Sequence, residues 1–259
     1  MRSVLPVALI MGVLCGLLVG GFFNVFNVPV MEWAISLEEA AAQAEAAADG
    51  GMPEEEGGIT VSLGMQRIGM AAGLGVVGVL FGAVFTGLYH LVRRAAPGWN
   101  MWAWATIAGL LGFWAISLFA QLKYPLNPPG IGDEGTLLAR QGFQFLFIAI
   151  SLVSVVGVCL ALQPINRSGA AGLQRFIMYA GVGIAYAVVV ILSFSLIPGN
   201  PDATPDWVPD ALVIMFRSIT IVGHFLLWMG IALGVVGYIK YKERGIKAVP
   251  SATSGVAVG

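Results

Sequence analysis

The residues that could do chemistry in this chain are few and are set into apolar sequence. His224 lies seven residues after Arg217, so both project from roughly one face of a helix. An imidazole in that setting can ligate a metal, relay a proton, or hydrogen-bond to Ser218 or to a facing helix. Met11 and Cys15 are four apart and present two soft sulfur donors on one helical face, too few to hold an ion by themselves. His90, the other histidine, falls near the opposite end of its apolar run and is not expected to meet His224. Four cations flank apolar runs at the acid-rich side of the chain: Arg67, Lys123, Arg140 and Arg217. Pairing with Glu32, Asp133, Glu134 or Asp210 would satisfy them around an aqueous entrance, and snorkelling to the interface is the plainer alternative. There is no C-x-x-C, H-E-x-x-H or P-loop, and no G-x-G-x-x-G opening a βα unit. No nucleophile and base stand at a recognisable spacing. Catalysis is therefore not expected, nor is a resident cofactor or nucleic-acid binding.

The elements that must position these groups are membrane helices. Of 259 residues, 58% are hydrophobic and only 10% charged, against about 25% charged in a soluble domain. Mean hydropathy is +0.87. The fold class expected is all-α, a single polytopic membrane domain over 1–259 with six transmembrane helices at about 4–27, 68–92, 101–122, 142–162, 176–197 and 212–239. The first run is longer than the apolar part of a signal peptide and has a single preceding cation, Arg2, so a retained helix is expected. Cys15 and Cys159 both sit inside apolar runs, which argues against a structural disulfide or a thiolate metal site.

Charge placement orients the chain. With the N-terminus cytoplasmic, the inner segments hold Arg2, Arg93, Arg94, Arg167, Arg175, Lys240, Lys242, Arg244 and Lys247, nine of the 13 basic residues. Every acid except Glu243 then falls outside. This is the positive-inside bias, and it places both termini in the cytoplasm of a cell with this protein in its inner or plasma membrane.

The outer segments differ in character. Residues 28–67 form an extramembrane acidic loop, with a short helix expected over Ser36 to Ala48, capped by Ser36 and Glu39 and broken by Gly50, Gly51, Pro53, Gly57 and Gly58. Residues 123–134 contain Pro125, Pro128 and Pro129, which make a stiff, extended connection able to set Lys123, Asn127 and Asp133 across a pore mouth. Trp207 fits an interfacial anchor in the loop before the last helix. Gly12, Gly16 and Gly20 on the first helix, Gly69, Gly73, Gly78 and Gly82 on the second, and Gly230 and Gly234 on the sixth are expected to let those three helices pack closely.

The segment Leu122-Lys123-Tyr124-Pro125-Leu126-Asn127-Pro128-Pro129-Gly130-Ile131-Gly132-Asp133, followed by Arg140, resembles the CbtA family of proposed cobalt transporter subunits. So do Pro29 with Glu32 after the first helix, and Trp207-Val208-Pro209 leading to Phe216-Arg217. The resemblance spans nearly the whole chain. It implies an integral membrane protein linked to cobalt uptake for cobalamin synthesis, with cobalt as cargo and a small histidine-containing membrane partner, CbtB. On that reading Glu32, Asp133 and Glu134 gather the cation at the outer face, and His224 is an intermediate donor on a path between helices. A noncatalytic assembly subunit of a larger membrane complex or homo-oligomer is the rival reading, with the glycine faces as its packing surfaces.

Overall fold

In the computed structural model, residues 4–49, 62–129, 131–132, 134–201 and 204–247 are described. Seven helices carry them, and no strand occurs among the described residues. They are α1 (Val4–Phe26), α2 (Val28–Asp49), α3 (Leu63–Ala95), α4 (Met101–Gln121), α5 (Leu137–Arg167), α6 (Gly172–Leu196) and α7 (Asp210–Lys247). All but α2 are long and apolar enough to cross a membrane. A lipid-crossing segment must satisfy its own backbone, and a helix does so internally.

Several helices run past the sequence-based bounds. Arg67 and Arg140 were expected just ahead of their helices, and both lie inside them, in α3 and α5. The start of α3 is fixed by Ser62, whose Oγ accepts from Met65 N at 3.4 Å. Asn100 caps α4 in the same way, Oδ1 accepting from Ala103 N at 3.0 Å. The acidic loop helix begins much earlier than Ser36. The chain turns at Asn27 and continues helically from Val28, with Pro29 in the first turn, where its missing N–H costs nothing. Ser36 is therefore mid-helix, and its Oγ donates to Trp33 O at 2.8 Å rather than capping anything. The glycine and proline breakers at 50–58 lie outside the described residues.

Four helices, α1, α3, α4 and α7, form the body, with α1 against α3 and α7, and α4 against α3 and α7. Successive contacts run in opposite sequence directions, so each of these pairs is antiparallel. Both described chain ends and the basic α3 C-terminus (Arg93, Arg94) thus share one end of the bundle, here the terminal end. The α1–α3 seam is backbone on backbone. A Cβ on Gly12 would fall into the Gly78 carbonyl, and one on Gly16 into that of Leu74. One on Gly82 would fall into that of Ala8, and one on Gly20 would reach 2.6 Å from Ala71 Cα. Gly69 and Gly73 take no part; a Cβ on either would meet open space. The seam on α3 follows Ala71, Leu74, Gly78 and Gly82 at helical spacing, and Gly69 and Gly73 are rotated away from it. On α7, Gly230 and Gly234 receive the Cys15 sulfur and the Met11 sulfur, which would stand 2.9 and 2.8 Å from an added Cβ. The two soft donors of α1 are thereby packed into notches of a neighbour.

At the far end, α2 folds back so that Val30 and Ala34 pack with Val208, Leu212, Val213 and Phe216 around Ile131. The outer helix α6 packs on α5, and Ser193 is its one buried residue among those described. An aromatic joint of Phe119, Tyr124, Phe147 and Phe194 ties α4, α5 and α6 together.

Candidate functional site

The polar centre of the bundle is a seam between α4 and α7. Near its far end α4 opens into a π turn, Phe113–Leu118, and Phe119 N donates back five residues to Trp114 O. One extra residue in a turn rotates everything after it by about 100° relative to a continuous α-helix. Ser117 and Gln121, four apart, consequently face α7. Gln121 Nε2 lies 3.3 Å from His224 Nδ1, and one turn along α7 Trp228 Nε1 donates to Ser117 Oγ at 3.2 Å. Gln121, Ser117 and Trp228 are buried, and His224 is partly so. The Trp228 ring fits because Gly112 stands opposite, where any Cβ would penetrate it. Phe81 of α3 lies against both Trp228 and His224, at ring-centroid distances of 4.9 and 6.4 Å.

The imidazole is thus held by an amide. With Nε2 of Gln121 donating, Nδ1 accepts and the neutral ring carries its proton on Nε2. Rotating the amide by half a turn places its oxygen against an Nδ1–H and frees the Nε2 lone pair, the form that ligates a metal. Gln121, Ser117 and Trp228 were not singled out from the sequence. The available signal was a polar residue, Gln121, inside an apolar run, but the π turn that aims it at His224 has no sequence signature.

The outer candidates separate into three places. Arg67 Nη2 pairs with Glu32 Oε1 at 2.8 Å, with both side chains about half exposed. Arg217 donates through Nε to Leu126 O at 3.1 Å and through Nη2 to Asn127 Oδ1 at 2.7 Å. It therefore binds the proline-rich connection rather than a carboxylate. Lys123 points the other way, with Nζ donating to Phe194 O at 2.6 Å and Ile197 O at 2.5 Å, the carbonyls at the end of α6. The structure does not bring Lys123 and Asn127 together across a mouth; each fastens a different helix. Arg140 lines a cavity of about 320 Å³ with Asn127, Gln144 and Asn200. Asp133 lies outside the described residues, as does the side chain of Glu134. His90 is exposed near the terminal end of α3, beside the Tyr89 ring. Among the described residues no three His, Cys, Asp or Glu side chains gather closely enough to hold a metal.

A model of the CbtA family, described as "Probable cobalt transporter subunit", matches residues 1–239. The chain belongs to the CbtA family. The match takes in all six apolar helices through most of α7, including the Gln121–His224 seam and the Arg217–Asn127 joint. No curated protein and no solved structure matches the chain. Membership and the six apolar helices make this an integral membrane protein of a transporter-subunit family, in agreement with the resemblance carried by residues 122–133.

Proposed function

We propose that the chain is the membrane subunit of a transition-metal uptake system with cobalt as its cargo. The observation that carries this reading is the family match over residues 1–239. The geometry adds one imidazole within an apolar span, His224, held in register by Gln121 near the far end of the α4–α7 seam. Imidazole is a suitable donor for first-row divalent metals, although affinity order alone does not separate cobalt from nickel. The sparse ligand set is the reason for assigning further donors to a partner, a small histidine-bearing CbtB-like membrane subunit. The terminal end is cytoplasmic in this proposal, supported by the basic residues gathered there. Glu32, exposed at the far end beside Arg67, belongs to the outer collecting surface together with Asp133 and Glu134.

The test is cobalt uptake into proteoliposomes containing the chain with and without the small subunit. Uptake that requires both, and that falls sharply in His224→Ala at equal protein abundance, is the expected result. Undiminished flux in His224→Ala removes the imidazole from the route. Absence of flux, with recovery of the chain in a larger stable complex, replaces transport by an assembly role. For orientation, Gln43→Cys in a background lacking Cys15 and Cys159 should label with an impermeant maleimide from outside intact cells, and Tyr241→Cys should not.

A further inference from the structure

At the terminal end, the four-helix body parts into a crevice of about 830 Å³ between α1, α3, α4 and α7. That volume lies within the ~300–1,000 Å³ typical of small-ligand sites. Its two ends differ in chemistry. The inner wall and flank are apolar, formed by Val7, Ile10, Met11 and Ile239, and Ile10 is 59% exposed, so the flank opens sideways where lipid would lie. The rim at the helix ends carries Arg93 and Lys242, with Glu243 as the acid among the lining residues, which leaves the opening net positive. Both cations are seated on aromatic rings: Arg93 Cζ is 5.5 Å from the Trp104 centroid and Lys242 Nζ 5.8 Å from that of Tyr238. Trp104 is itself tethered, its Nε1 donating to Ala96 O at 2.7 Å.

We infer that this crevice binds an anionic phospholipid, with the headgroup phosphate at Arg93 and Lys242 and an acyl chain along Val7, Ile10 and Ile239. Charge complementarity and the lateral apolar opening carry the assignment. Basic pockets between membrane helices take acidic headgroups, and the aromatic seats hold the cations at interface depth. A positive rim opposes a metal cation, so this crevice is not matched to the cargo proposed above. The assignment is independent of the transport reading. A bound lipid here would bridge α1, α3, α4 and α7 at the terminal end.

The experiment is native mass spectrometry of the full chain released from micelles doped with phosphatidylglycerol or phosphatidylcholine of the same acyl composition. Phosphatidylglycerol should be retained preferentially. Arg93→Gln and Lys242→Gln should each weaken retention about fivefold, the effect of one basic group near an anionic lipid surface. Glu243→Gln, at an exposed position, should tighten it, and this variant reads the same rim should the Arg93 substitution impair folding. Ile10→Trp should lower retention by filling the flank. Equal retention of the two lipids, retention unchanged in Lys242→Gln and Glu243→Gln, or full displacement by excess inorganic phosphate would overturn the proposal; the last would mark a soluble-anion site instead.

Discussion

Arg217 on α7 and Asn127 in the proline-rich connection are joined by a 2.7 Å hydrogen bond, and the same guanidinium holds Leu126 O at 3.1 Å. Two donors of one planar fork thus secure a segment that contributes almost no regular backbone bonding of its own. The residues that make the 122–133 segment recognisable are fastened to both sides of the bundle, Asn127 to α7 and Lys123 to α6.

Loss of that fork should be costly even when charge is kept. Arg217→Lys retains a cation but cannot present two donors in fixed geometry. It should destabilise the protein by about 1.5–3 kcal/mol in equilibrium unfolding in mixed micelles, the range for hydrogen bonds to charged groups. Asn127→Ala should cost less, because the bond to Leu126 O survives. The double variant should fall short of the sum; strict additivity would mean that the two side chains do not act together.

Lys123→Met should loosen α6. This helix is packed mainly on α5, and Lys123 supplies two charge-assisted bonds to its last carbonyls, with its ammonium 5.5 Å from the Phe147 ring centroid. Amide exchange around residues 194–198 should accelerate on the order of tenfold or more, since each 1.4 kcal/mol lost is a factor of ten. Exchange in the α1–α3 seam should not change. Uniform acceleration throughout the chain would indicate global destabilisation instead.

Alkaline pH should weaken the same joint through Tyr124. Its ring stacks on Phe143 and its hydroxyl donates to Pro198 O at 2.5 Å. Burial pushes its phenol above the ordinary tyrosine range. The unfolded chain then releases this proton first as pH rises past about 10, so the Tyr124 contribution is intact below that pH and is lost as pH climbs through the raised value. Melting temperature followed between neutral and alkaline pH should show a smaller alkaline drop in Tyr124→Phe than in the parent. Superimposable drops would remove Tyr124 from the cause.

Gly112→Ala should disturb the α4–α7 seam by driving a methyl into the Trp228 ring. Overpacking of this kind costs about 1–3 kcal/mol. Combined with Trp228→Leu, which vacates the ring at the expense of its bond to Ser117, the substitution should cost clearly less than the two single losses together. A double variant no better than additive would place the strain elsewhere.

The membrane class, the six apolar helices and the segregation of charge were all legible in the sequence, because length and hydropathy are summed residue by residue along a helix. The family was legible too, from a short proline-bracketed segment whose residue types hardly vary in meaning with context. Helix ends were less so: whether Arg67 and Arg140 lie in a helix or ahead of it is decided by caps and by turns such as Asn27, which leave only weak local signals. What the tertiary structure alone decided is which side chains meet. Contact across two helices depends on their rotation about their own axes, and that rotation is set by where glycine lets backbones touch. It excluded Gly69 and Gly73 from the α1–α3 seam, packed the Met11 and Cys15 sulfurs against α7 notches, and sent Lys123 to α6 and Arg217 to Asn127. The π turn added a further rotation that no hydropathy pattern encodes, and it is this rotation that turns Gln121 toward His224.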